Sequence, residues 1–173
     1  MMSKNKFVAF FLGLFLGPIG YVYLGWRHAI MTFITLSIFV FIFGLINIPI
    51  FEWTRYVTLP VMGYCAYHTA IKINLFVEQE EIDNSLDLSV LRSFSFASYQ
   101  ASGLLQSLAI SYSFVVCIYA SIRAFDENVL LAAFFLFIGT PFIVWIVYML
   151  FGFIATLLEV PFERRISKEM DKD

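Results

Sequence analysis

Residues 29–51, Ala29-Ile30-Met31-Thr32-Phe33-Ile34-Thr35-Leu36-Ser37-Ile38-Phe39-Val40-Phe41-Ile42-Phe43-Gly44-Leu45-Ile46-Asn47-Ile48-Pro49-Ile50-Phe51, run for 23 positions without a charge. A helix of that length reaches roughly 34 Å, more than the ~30 Å hydrocarbon core of a bilayer. Charge-free stretches also cover 7–26, 56–71, 93–122 and 128–158. Of these, only 56–71 falls short of the roughly 18 residues expected of a membrane span. Across 173 residues, 61% are hydrophobic and 14% charged, against about 45–50% and about 25% in ordinary soluble domains. So few charges cannot cover a water-facing surface. The composition excludes a soluble enzyme, a disordered chain and a disulfide scaffold. It points to an all-α integral membrane protein of about four transmembrane helices, arranged as two hairpins. An interfacial helix and an acidic cytoplasmic loop are expected between the hairpins.

Towards the N-terminus, residues 7–25 read as one apolar helix behind a basic head containing Lys4 and Lys6. The stretch is longer than the apolar core of a cleavable signal and no small-residue cleavage site follows it. It is therefore expected to be retained, with the lysines holding the N-terminus in the cytoplasm. Gly13 and Gly17 form Gly-x-x-x-Gly, a spacing that lets a second helix backbone approach closely. Pro18 removes a backbone hydrogen bond and should bend the helix. Gly20 and Gly25 permit a sharp reversal. The short Trp26-Arg27-His28 link implies an antiparallel hairpin, with Arg27 and His28 in water or headgroups. Tyr21, Tyr23 and Trp26 would lie in one aromatic belt and Trp53 in the other.

Towards the C-terminus, segment 54–77 is short and polar for a span. Thr58, Pro60, Gly63, His68 and Thr69 interrupt it, and it reads as an interfacial helix. Region 78–102 opens with Glu78, Glu80, Glu81 and Asp83 and reads as a solvated acidic loop. A helix over 103–124 follows, then the turn Asp126-Glu127-Asn128 and a kinked helix over about 133–158, broken at Gly139-Thr140-Pro141. The tail Pro161–Lys168 carries Arg164 and Arg165, and its charge places it in the cytoplasm. With both termini inside, the number of crossings is even. The organisation expected is thus 1–77 as a glycine-rich hairpin with an interfacial segment, 78–102 as the polar loop, and 103–173 as a second transmembrane pair with a basic tail.

The stretch Gly17-Pro18-Ile19-Gly20-Tyr21-Val22-Tyr23-Leu24-Gly25, followed at once by a second apolar helix, resembles the glycine-rich hairpin of TM2-domain-like small membrane proteins. Gly17, Gly20, Tyr23, Leu24 and Gly25 match that pattern, and Ala66–Asn74 resembles the short segment that follows the hairpin in some bacterial members. The His-containing spacing and the Asp-Arg-Phe triplet of commoner members are absent. The resemblance covers about residues 6–76. It implies a helical hairpin and a bacterial inner (plasma) membrane location more than it implies a biochemical activity.

Candidate chemistry is sparse. No Ser/His/Asp set, His-Glu-x-x-His or Gly-x-Ser-x-Gly occurs, so no enzyme, catalytic residue or cofactor is expected. Two Cys and two His, scattered singly, supply no metal site, and Cys65 and Cys117 read as small hydrophobes. A net charge of −2 gives no pull towards nucleic acid. No span carries a charge near its centre, whereas transport pathways generally do. The role expected is a non-catalytic accessory or assembly subunit of a membrane complex, in contact with lipid and with a membrane-protein partner or further copies of itself. The alternative is a small oligomeric transporter or channel, for which His68 and Glu159 are the candidate residues. Glu159, two residues before Pro161 and four before Glu163, also fits an interface.

Overall fold

The computed structural model describes residues 3–45, 51–80 and 89–170. The described residues are helical throughout: α1 (Lys6–Leu16), a 3₁₀ segment (Gly17–Tyr23), α2 (Trp26–Gly44), α3 (Phe51–Glu80), α4 (Ser89–Glu127), α5 (Val129–Phe134), a π-turn (Phe135–Gly139) and α6 (Thr140–Met170). Four stretches, Lys6–Tyr23, Trp26–Gly44, Ser93–Glu127 and Val129–Ile154, are long and apolar enough to cross a membrane.

The first of these stretches is not a rod. Asn5 starts α1 by accepting from the amides of Phe7 and Val8 at 3.0 and 3.3 Å, satisfying donors that have no helical partner. Twelve residues later Gly17 takes φ +57°, a conformation glycine adopts without a Cβ penalty. Pro18 then cannot continue the helix. The chain turns back along α1, so that Gly20 lies against the Leu12 carbonyl and the Gly13 amide. Tyr23 Oη accepts from the Asn5 amide at 2.9 Å, 18 residues away in sequence. A second reversal at Gly25 (φ +146°) launches α2. The 3₁₀ segment thus separates α1 from α2, which do not touch among the described residues. The single helix expected over 7–25 is therefore a folded-back pair. Its α-helical arm is about 16 Å long, half a hydrocarbon core.

Gly13 does receive a second helix, and that helix is α3. A Cβ on Gly13 would stand 2.9 Å from both Ala66 Cβ and the Met62 carbonyl; one on Gly63 would stand 3.1 Å from the Phe10 carbonyl and Leu14 Cβ. Phe7 meets Tyr67, and Lys4 meets Asn74. The two helices are therefore antiparallel neighbours from residue 4 to residue 17. The inner face of α3 repeats at Met62, Ala66, Thr69, Ala70, Ile73 and Val77, all buried, the spacing of a helix with one covered side. Segment 54–77 was expected to lie in the plane of a membrane surface. It is part of a 30-residue helix packed on α1 and α4, and it is not one of the four stretches apolar enough to cross a membrane. Its small and polar residues serve packing: Gly63 and Ala66 allow close approach, and the Thr69 hydroxyl bonds to the Cys65 carbonyl at 2.7 Å.

The solvated loop expected over 78–102 is also revised. Residues 81–88 lie outside the described residues. Residues 89–102 form the first turns of α4, with Ala97, Ala101 and Ser102 buried. The 39-residue α4 is the central pillar, contacting α2, α3, α5 and α6. It runs parallel to α2, with Trp26–Phe94 and His28–Phe96 ring contacts near one end and Phe39–Tyr112 and Phe43–Tyr112 further along. Leu104, Leu108 and Tyr112 join the main core. The small residues Ala109, Ser113, Cys117 and Ser121 are buried on another stripe. Gln106 Nε2, on that stripe, donates to the Tyr148 carbonyl of α6 at 3.3 Å.

The break expected at Gly139-Thr140-Pro141 is the π-turn. Pro141 has no N–H to give, and Thr140 turns both its amide and its hydroxyl to the Phe135 carbonyl, the latter at 3.0 Å. The tight turn at Asn128 caps α5 through side-chain bonds to the amides of Leu130 and Leu131.

Candidate functional site

The sequence-derived residues Gly13, Gly17, Pro18, Gly20, Tyr23 and Gly25 come together in the folded-back pair. Two turns, one backbone-to-backbone contact and one hydroxyl tie account for all of them except Pro18, which reinforces the first turn. Tyr21 is not in a belt. It is 3% exposed, and its hydroxyl donates to the Met62 carbonyl of α3 at 2.9 Å, 41 residues away. Tyr21→Phe removes this bond and is expected to lower stability by about 1 kcal/mol, read as a fall in Tm of the detergent-solubilised chain. His28 likewise lies inside rather than in water, 7% exposed and edge-on to Phe96. Arg27 reaches Ser93 Oγ and covers the rings of Trp26 and Phe94.

Folding gathers cations that are scattered in sequence. Lys4 Nζ lies 5.2 Å from the Tyr23 ring centre, and Lys6 Nζ lies 5.8 Å from both Phe7 and Tyr67. Lys72 Nζ lies 4.6 Å from the Tyr99 ring. With Arg27, these groups mark the end of the bundle where α1, α2 and α4 begin and α3 finishes. An open cleft of about 400 Å³ lies among them, lined by Lys4, Asn5, Lys6, Phe7, Ile71, Asn74 and Leu75. Asn74 braces it with a reciprocal clasp: Oδ1 accepts from the Lys4 amide at 2.6 Å, and Nδ2 donates to the Lys4 carbonyl at 2.8 Å. The sequence shows these lysines only as topology signals. The register that brings residue 4 beside residue 74 is a tertiary fact with no local trace.

The transport candidates are not brought together. His68 is exposed on the outer face of α3, between Tyr64 and Tyr67 at ring distances of 4.4 and 5.6 Å. The Glu159 side chain lies outside the described residues. Among the described residues its helix, α6, packs on α4 rather than on α3. No group of three or more His, Cys, Asp or Glu that could hold a metal occurs among the described residues. Cys65 and Cys117 are free thiols on different helices.

No family model, curated protein or solved structure matches this chain.

The interior polar groups have a common habit. Thr35 bonds to the Met31 carbonyl, Ser113 to Ala109 and Ser121 to Cys117, each at 2.8 Å; Ser102 bonds to Tyr99. Each hydroxyl is satisfied by its own helix, as buried polar groups require. Among the described buried residues, His28 is the only ionisable one besides the tyrosines and Cys117. Outside, α5 and α6 present the opposite character. The Val129–Ile154 stretch has a mean hydropathy of 2.5 and only 11% of its span window is covered. Among the described residues it rests on α4 alone, with Phe137, Phe142, Trp145, Tyr148 and Phe153 turned outwards.

Proposed function

We propose that this chain is a non-catalytic integral membrane protein that serves as an accessory or assembly subunit of a membrane complex through helix–helix packing. The observation that carries this reading is the interior. Five of its buried hydroxyls, on Thr35, Thr69, Ser102, Ser113 and Ser121, bond to carbonyls of their own helices, and the polar contacts between helices, Thr69 with Gln100 and Tyr21 with Met62, are isolated rather than strung into a path. Ion and proton pathways are lined by ionisable or unwound elements. The uncovered aromatic face of α5 and α6 adds to the reading, since large rigid apolar side chains pack on lipid or on a partner helix.

The same reading includes a topology. α2, α3, α4 and the α5–α6 rod cross the bilayer, while α1 and the 3₁₀ segment dip in and return on one side. The number of crossings stays even, and both termini, Arg27 and the acidic 81–88 segment share the cytoplasmic side of a bacterial inner membrane. The likeness of Gly17–Gly25 to the TM2-domain-like hairpin belongs to this proposal.

Purification of the tagged chain in mild detergent tests the subunit role. It is expected to elute with an integral membrane protein in fixed stoichiometry, and the pure chain in liposomes is expected to pass no ion or small solute. Elution alone together with solute flux would favour an oligomeric transporter or channel and overturn the proposal.

A further inference from the structure

We propose that the cleft between the start of α1 and the end of α3 binds the phosphate of an anionic phospholipid headgroup, with an acyl chain laid along the exposed phenylalanines of α1. This inference does not depend on the subunit role. Of the described residues lining the cleft, Lys4 and Lys6 are cationic and none is acidic. The ammonium groups lie beside the rings of Tyr23 and Tyr67. The Asn74 clasp fixes the backbone that carries Lys4, so the charge is presented from a set position. A pocket with organised cations can bind a phosphate without first ordering its own side chains.

The opposite wall argues for a lipid rather than a free ion. Phe7, Ile71 and Leu75 line it, and Phe7 is 60% exposed. Phe11 and Phe15 continue the same face of α1, exposed and stacked on one another at 6.2 Å. A polar end that joins an apolar ramp matches an amphiphile with a charged head. Basic pockets between helices on the cytoplasmic side recognise anionic headgroups in this way.

The test uses the full chain in detergent and native mass spectrometry, with phosphatidylglycerol, phosphatidylcholine and inorganic phosphate as probes. One phosphatidylglycerol should be retained over phosphatidylcholine by about tenfold or more. Lys4→Gln with Lys6→Gln should abolish that preference, and so should Leu75→Trp, which fills the cleft while leaving the charges in place. Arg123→Gln, an exposed cation at the far end of α4, should keep it. Circular dichroism and elution volume establish that each variant is folded. Equal retention of the two lipids, a preference that survives either cleft variant, or inorganic phosphate binding as tightly as the lipid would each overturn the proposal. Loss of preference with the lysine pair but not with Leu75→Trp would reduce the effect to surface charge and overturn it as well.

Discussion

Gly20→Ala is expected to break the folded-back pair and lower the Tm of the solubilised protein by about 6–12 °C. The added Cβ would overlap the Leu12 carbonyl and come within 2.9 Å of the Gly13 nitrogen. Both are backbone atoms and cannot rotate aside. Overpacking that side chains can absorb already costs about 1–3 kcal/mol, and here the whole 3₁₀ segment has to withdraw from α1. At about 3 kcal/mol, the loss is a large share of the 5–15 kcal/mol that holds a typical fold, and a chain of this length loses about 2–4 °C per kcal/mol. Tyr23 then leaves Asn5, and Tyr21 leaves Met62. Gly44→Ala is the control. Nothing stands within 4 Å of that position on α2, so alanine should be neutral or gain up to about 1 kcal/mol through helix propensity. If both variants melt with the wild type, the reversal at Gly17 is wrong.

The second large effect is an all-or-none labelling pattern. In a background of Cys65→Ala and Cys117→Ala, single cysteines are placed at exposed positions as Ser3→Cys, Trp26→Cys, Leu45→Cys and Glu127→Cys. Whole cells are treated with a membrane-impermeant maleimide before and after permeabilisation. With α1 turning back, residues 3 and 26 share a side and should label only after permeabilisation. Residues 45 and 127 should label at once. A straight helix over 7–25 gives the opposite result for two of the four: residue 26 outside and residue 45 inside. The pair Trp26 and Leu45 therefore decides between the arrangements without reference to the rest of the chain. The ring contact of Trp26 with Phe94 and of Phe43 with Tyr112 predicts the first pattern, because α2 and α4 must then rise together.

Much of the helical architecture was legible because it follows from local chemistry. Asn128 as a cap, the break before Pro141 and the apolar length of α2 are each set by a few neighbouring residues. The reversal at Gly17 was also written locally, since glycine followed by proline is a helix stop. The apolar run on both sides of it concealed this, for hydropathy sums over a window and cannot see the chain turn within it. The packing of α3 was hidden for the converse reason. Its small and hydroxylated residues lower its hydropathy, yet Gly63 and Ala66 are what allow Gly13 to approach, and Thr69 is quiet once bonded to Cys65. Pairing decides the meaning of those residues, and pairing is not local. The basic cleft was illegible for the same reason: Lys4, Lys6 and Asn74 acquire a joint chemistry only when α1 and α3 lie side by side.

The clasp between Lys4 and Asn74 joins residues 70 positions apart, and this sets an order of events at the ribosome. Residue 4 is made 70 positions before its partner. Until α3 has emerged, Gly13 has no partner helix, the Tyr21 hydroxyl has no acceptor on Met62 and Lys4 has no Asn74 to clasp. The folded-back pair therefore stays without its outer partner while α2 is made, and its contacts are complete only when the end of α3 reaches it. A nascent chain stalled before that point would expose its beginning to proteases and insertion factors; a chain that has passed it would not. The fold thus marks its own progress at the N-terminus.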